Sequence, residues 1–244
     1  MDSGFYSAFT GLAARMQSLD LLANNLANVN TAGYKAQKEF YRAFTASLSN
    51  RALSPVNMAI NDYGLMGGAR VDFSAGALQT TGNDTDVALD GSGFFVLKTQ
   101  AGIRYTRNGN FSLNSTRQLV DPQGNLVQGQ DGPIQLPSGK ITISTDGAVS
   151  VDGALVAQLK VVDFAPGTQL QPEGNTDFVA PAEAQPIAST AQVRQSMLEA
   201  SNSDAVSSAV SLISLQRNAE MMQKALTIFN TDFNQTAVQE LPHV

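Results

Sequence analysis

The sequence contains no cysteine and no tryptophan, and its one histidine, His243, is the penultimate residue. Without cysteine there are no disulfides, thiol nucleophiles or thiolate metal ligands. A histidine at a chain end is expected to be frayed and solvated, which makes it a poor base for a catalytic triad. Positive charge is scarce as well: 15 Lys and Arg stand against 21 Asp and Glu, for a net charge of -6. With no Lys/Arg cluster to release counterions from a phosphate backbone, nucleic acid is not an expected partner. Long apolar runs are missing too, since the longest are broken by Gly, Asn or Ser, and membrane insertion is not expected. The start, Met1-Asp2-Ser3-Gly4, lacks the basic and apolar regions of a cleaved signal peptide. Taken alone this points to the cytoplasm, and it leaves export through a dedicated channel open. Carboxylates, Lys, Tyr and Ser are what remain for catalysis. On that inventory no catalytic residue, cofactor or metal ligand is expected, and the chain does not read as an enzyme.

What is present divides into three zones. Phe5, Phe9, Leu12, Met16, Leu19, Ala23 and Leu26 recur in alternating steps of four and three, the heptad seam of a helix facing a partner. The helix is expected to stop near Asn30 to Gly33, with Gly33 as the left-handed residue past the last turn. From about Arg51 to Gln195, short runs rich in Val, Ile, Phe and Leu alternate with turn dipeptides. The stretches 93–97, 109–113, 140–143 and 158–162 are predicted strands, and Asp146-Gly147 is a predicted hairpin turn. No helical period lies between them, so the sheet should be antiparallel. The third zone opens on the N-cap candidates Ser201-Asn202-Ser203-Asp204. Leu212, Leu215, Ala219, Met222, Leu226, Phe229 and Phe233 then step by three and four, and Val206, Val210 and Ile213 add a second apolar strip.

The expected fold is therefore mixed α and β: long N- and C-terminal helices packed as a coiled coil, plus a central, mostly antiparallel β domain. The expected organisation is an N-terminal helical segment 1–35, an extended connector 36–80, a β domain 81–195 and a C-terminal helical segment 196–244, the two ends together forming the core helical domain. A lone amphipathic helix needs its stripe covered. Pairing of the two ends within one subunit would do this. A stripe on more than one face of the C-terminal helix also suits contacts with neighbours, and heterologous contacts that do not close generate filaments. Asn24, Asn25 and Asn28 are poor helix formers beside the first seam. They are either a solvated face near a helix end or amides fixing the register of a polar interhelical contact. Together with the two seams they make up the expected assembly interface.

Other motifs carry less. Asp84, Asp86 and Asp90 lack the central Gly and terminal Glu of a calcium loop. Gly91-Ser92-Gly93 is half a dinucleotide fingerprint, with Val96 where the third glycine belongs, and reads as a strand-entry turn. Arg107 is more suited to an interface or a turn than to anchoring a substrate. A β domain that binds or hydrolyses a small ligand is the competing reading.

Four longer segments resemble a known family. LLANNLANVNTAGYKAQ (Leu21 to Gln37) closely resembles the N-terminal signature of the flagellar axial family of rod and hook proteins. DTDVALDGSGFFVL (Asp84 to Leu97) and YTRNGNFSLNSTRQLVDPQGNLVQG (Tyr105 to Gly129) resemble the β domain of its rod members, and LEASNSDAVSSAVSLISLQRNAEMMQKAL (Leu198 to Leu226) resembles its C-terminal signature. The resemblance implies a structural rod subunit whose terminal helices line an inner tube with the β domain outside. It implies as partners other copies of the chain, other rod and hook axial proteins and the flagellar export apparatus. It also implies location in the periplasmic rod of the basal body, reached without a cleaved signal. Length and the start Met1 to Tyr6 are more like a proximal than a distal rod subunit. One departure is the stretch Ser201 to Ser208, which ends Ala-Val-Ser-Ser where the family commonly carries acidic residues.

Overall fold

Strand Phe94–Thr99 shows how the β body is built. Its run Phe94-Phe95-Val96-Leu97 is buried throughout, because both faces of the strand are covered. Phe95 and Leu97 enter a cluster with Val87, Leu89, Phe111, Leu119, Val127 and Ile134. Phe94 and Val96 enter a second one with Val162, Phe164, Leu170 and Phe178. Edge-on rings tie each cluster together, Phe95 to Phe111 at 5.2 Å and Phe73 to Phe94 at 5.4 Å between centroids. Each such side chain contributes about 2–3 kcal/mol by leaving water.

The computed structural model describes residues 2–42, 65–174 and 176–240. The chain divides into two compact units. The β unit takes residues 28–36 and 71–203. Its largest sheet runs in the order Gln171–Glu173, Asp177–Val179, Gly102–Thr106, Phe94–Thr99, Leu126–Gly129, Leu119–Val120, Ser112–Leu113. Val161–Asp163 joins Phe94–Thr99 from the other side and carries Ile187–Ala188. A three-stranded meander, Ile141–Ile143, Ala148–Val151 and Ala154–Gln158, lies beside it, with Gln192–Gln195 paired to Val87–Asp90 and Met197–Glu199 to Leu78–Thr80. Every ladder of this unit whose register is described is antiparallel.

The hairpin expected at Asp146-Gly147 is present, with Ile143 opposite Val149. Asp152-Gly153 closes the next hairpin with φ of 50 and 84, the positive pair that a two-residue turn of matching twist needs. Two predicted strands are corrected. The segment 158–162 is divided between Ala154–Gln158 and Val161–Asp163, because the amides of Leu159 and Lys160 turn away to Gly147 and Gln128 as the chain passes between sheets. The segment 109–113 shortens to Ser112–Leu113, since Gly109 accepts from the amide of Val87 and Asn110 makes only an isolated bridge to Asp86.

The helical unit is built from the described parts of 1–27, 37–70 and 204–244. It holds helix α1 (Asp2–Ala27), strands Gln37–Arg42 and Leu65–Val71, and helix α2 (Ala205–Glu240). Of the expected connector, residues 43–64 lie outside the described residues, as does His243. The expectation of long terminal helices packed as a coiled coil is corrected. Among the described residues there is one helix before and one helix after the antiparallel strands in chain order, and the heptad stripe of α1 is not a sealed seam. Met16 is 54% exposed and Ala23 is exposed, while Leu12, Leu19 and Leu26 are half-buried. Among the described side chains of α1, the buried ones are the polar Ser18 and Asn25. Knobs-into-holes packing requires the apolar stripe itself to be enclosed along its length, and strand Gln37–Arg42 takes part of the place a partner helix would have filled. Spacing alone could not show that.

One carboxylate of the β unit is poised against its surroundings. Asp177, opposite Thr106 in the sheet, lies on the wall of a cleft of about 610 Å³ beside Arg104 and Glu173. Burial, then the neighbouring Asp121, raises its pKa to about 6, with Thr106, Thr176 and Arg104 opposing. Because the folded value lies above the unfolded one, this group favours the fold fully below about pH 4. That contribution is lost as pH rises to about 6 and beyond. Asp177→Asn is therefore expected to stabilise the fold at pH 7.5 by about 1 kcal/mol after allowance for solvent screening of a half-buried group, seen as a higher Tm, and to leave Tm unchanged at pH 4. Thermal melts of both proteins at the two pH values check this.

Candidate assembly surfaces

Helix α2 begins at a well-formed cap: Asp204 accepts from the amides of Val206 at 3.3 Å and Ser207 at 3.1 Å. Two apolar strips then run along it. Leu215 and Ala219 are buried, with Leu212 and Met222 half-buried, and these form the face turned to α1. Contact is close where Gly11 of α1 meets the end of the Met222 side chain. The second strip lies on the opposite side of the helix, about 180° away. Val206, Val210, Ile213, Met221 and Ile228 follow one another in near-helical register around Arg217 and Lys224, and each is 50–73% exposed. The sequence marked only the first three of these. The side chains of Phe5, Phe9, Leu226, Phe229 and Phe233 lie outside the described residues.

The three asparagines have separate roles. Asn25 is buried and brackets the backbone of Gln37, donating to its carbonyl at 2.8 Å and accepting from its N–H at 3.0 Å. It thereby anchors the strand that follows α1. Asn24 is exposed and bonds back to the carbonyl of Asp20. Asn28, buried, receives the amide and the hydroxyl of Thr31 where the chain leaves the helix, and Gly33 takes φ of 68 just beyond. Ser18 hydrogen-bonds Glu39.

Within the β unit a buried ionic cluster escaped the sequence reading. Glu199 is enclosed between Lys35 at 2.6 Å and Arg107 at 3.3 Å, with side chains 1%, 0% and 4% exposed. Lys35 also donates to the carbonyl of Ser74 and Arg107 to that of Gly91, and the guanidinium lies 5.5 Å from the ring centre of Phe94. Burial lowers the pKa of both cations, partly offset by Glu199. Arg107 is thus a buried partner of Glu199. Nothing in the local sequence marks Lys35 or Glu199 as ion-paired, because their union depends on a separation of 164 residues. The aspartates that suggested a cation loop are dispersed: Asp86 is buried and accepts from Asn83, and Asp90 pairs with Arg194 at 3.0 Å. Among the described residues no group of three acidic or histidine side chains could hold a metal, and no helix is long and apolar enough to cross a membrane.

Three family descriptions match in chain order: flagella basal body rod protein over residues 5–35, flagellar hook protein FlgE/F/G D1 domain over 88–151, and flagellar basal body rod FlgEFG protein C-terminal over 194–237. The chain is 32% identical to the flagellar basal-body rod protein FlgF of Caulobacter vibrioides, covering 99% of this chain and 98% of that one. Likeness to the Salmonella typhimurium FlgF is 33% with the same coverage, and to the Agrobacterium fabrum FlgG 35% over 90% and 92%. The chain belongs to the flagellar basal-body rod protein family. It is a structural subunit of the basal-body rod, as the four quoted motifs implied. The matched segments 5–35 and 194–237 contain most of α1 and of α2 with the buried residues Lys35 and Glu199, and 88–151 spans the central strands around Phe95. In this rod subunit, the two helices therefore share one unit and the central family segment lies in the other.

Proposed function

We propose that this rod subunit assembles with copies of itself and with neighbouring axial proteins through the outer faces of α1 and α2, that it performs no catalysis, and that it is of the FlgF type. The assembly face extends the expected seams with Val206, Val210, Ile213, Met221 and Ile228. The observation that carries the proposal is the unsealed second strip of α2. Five large apolar side chains in one row, half or more exposed, are costly in water unless a neighbour covers them. On α1 the exposed residues Ala13, Met16, Ala23 and Ala27 offer small side chains beside one flexible one, a surface onto which another subunit's bulky row can settle. Such a contact joins unlike patches, so it propagates rather than closes. The FlgF assignment is supported by the end-to-end match to FlgF-named relatives. Passage through the flagellar export apparatus without a cleaved signal, to a periplasmic position, follows from the same family reading.

Truncation tests the assembly elements. Removal of residues 2–27, or of 205–240, spares the β unit and is expected to leave a soluble protein with an undiminished strand signal in circular dichroism. Basal bodies isolated from cells carrying either truncation as their only copy should lack the subunit. Incorporation of a truncated chain at the wild-type level would show that the helices are not the assembly elements.

A further inference from the structure

Glu199 stands where four stretches of chain meet. Its carboxylate accepts from Lys35, from Arg107 and from the amide of Gly76 at 2.8 Å, and its backbone carbonyl accepts from the amide of Gly33 at 2.7 Å. Three residues on, Asn202 repeats the pattern: it receives the amide of Ala36 at 2.7 Å and donates to the carbonyls of Asp72 at 2.7 Å and Ser74 at 3.1 Å. Ala36 in turn accepts from Asp72, and Ala200 donates to Ala77. Gly76 fits because a Cβ there would lie 1.9 Å from the carbonyl oxygen of Ala200. The segment leaving α1 and the segment entering α2 are thus bound to each other and to 72–77 by hydrogen bonds and ion pairs.

We propose that the Lys35–Glu199–Arg107 cluster, with Asn202, is a latch that opens and closes as one cooperative element, separately from the β core, and holds or frees the two helix-bearing ends together. Buried ion pairs contribute little net stability when complete, yet removal of one partner leaves uncompensated buried charge. An element held by such a cluster therefore switches between closed and open without a populated half-closed form. The apolar cluster around Phe95 contains no residue of 33–36, 72–77 or 199–202 and is closed by its own strands. Opening releases 33–36 and 199–202 at once, while the central strands keep their pairing.

Amide hydrogen exchange on the full chain tests this. In the wild type, the amides of Gly33, Ala36, Asp72, Gly76 and Ala200 should exchange with one shared opening constant, below the protection of Leu119 and Ile134 in the core. In Glu199→Gln all five should exchange faster by about a hundredfold together, with Leu119 and Ile134 unchanged. If Glu199→Gln does not fold, Lys35→Met, which retains the Glu199–Arg107 pair, should show the same five amides accelerated about tenfold. The proposal is overturned if only Gly76, whose acceptor is altered, responds. It is equally overturned if Leu119 and Ile134 accelerate by the same factor, or if the five wild-type amides exchange independently.

Discussion

Gly109→Ala is expected to destabilise the β unit by about 3 kcal/mol or more, lowering Tm by about 6–12 °C in a thermal melt. The φ of Gly109 is not in the left-handed region, so the cost is contact alone. A Cβ at this position would lie 1.6 Å from the carbonyl oxygen of Val87 and 2.7 Å from its carbon, with Phe95 at 3.3 Å on the other side. Both obstacles are fixed. Val87 is a fully buried backbone whose amide is bound to the carbonyl of Gly109 at 3.0 Å, and Phe95 is the centre of the larger cluster. Making room means separating the backbones of 86–87 and 109–110, which breaks that bond and opens the core beside Phe111. Gly124→Ala is the control. That residue has φ of 85 with nothing within 4 Å of its Cβ, so only the left-handed backbone penalty of about 1 kcal/mol applies. Equal losses in the two variants would refute the steric account.

How much of this was legible beforehand depends on whether the information is local. The run Phe94 to Leu97, the Asp146-Gly147 turn and the Asp204 cap are each encoded within a few residues, and all three are where the sequence placed them. Helix ends and turns are decided by neighbours, so spacing and residue type suffice. What the chain does was legible through the quoted family motifs rather than through periodicity. The heptad spacing by contrast misled. Alternating steps of three and four record which residues share a helix face, but not whether a helix, a strand or water lies against it. Here strand Gln37–Arg42 engages Asn25 and Ser18, so the fully buried positions among the described side chains of α1 are polar and the apolar stripe is half open. Of the asparagines, read as solvated or as register-setting amides, Asn24 is exposed and bonds back within its own helix, while Asn25 binds the backbone of Gln37 in the strand that follows. Glu199 was silent for the complementary reason. An acidic residue between Leu198 and Ala200 looks solvent-facing, and only the fold supplies the two cations and the amide that make it buried.

The two strips of α2 should respond oppositely to charge. Ile213→Asp places a carboxylate on a side chain that is half exposed in the free subunit, so Tm should move by no more than about 2 °C. In a neighbour's contact the same carboxylate would be desolvated without a partner, at a cost of several kcal/mol, enough to reduce association by at least about a hundredfold. Cells with Ile213→Asp as their only copy are expected to lose swimming in soft agar and to yield basal bodies without the subunit. Leu215→Asp, on the opposite side of the helix and only 9% exposed, should instead unfold the helical unit of the purified protein. Gln216→Asp, on an exposed polar position, should swim normally. The comparison separates assembly from folding, because position 213 alone predicts a stable subunit that fails to incorporate. Wild-type swimming by Ile213→Asp would mean that no neighbour covers this row, and that the subunit's place in the rod is held by another surface.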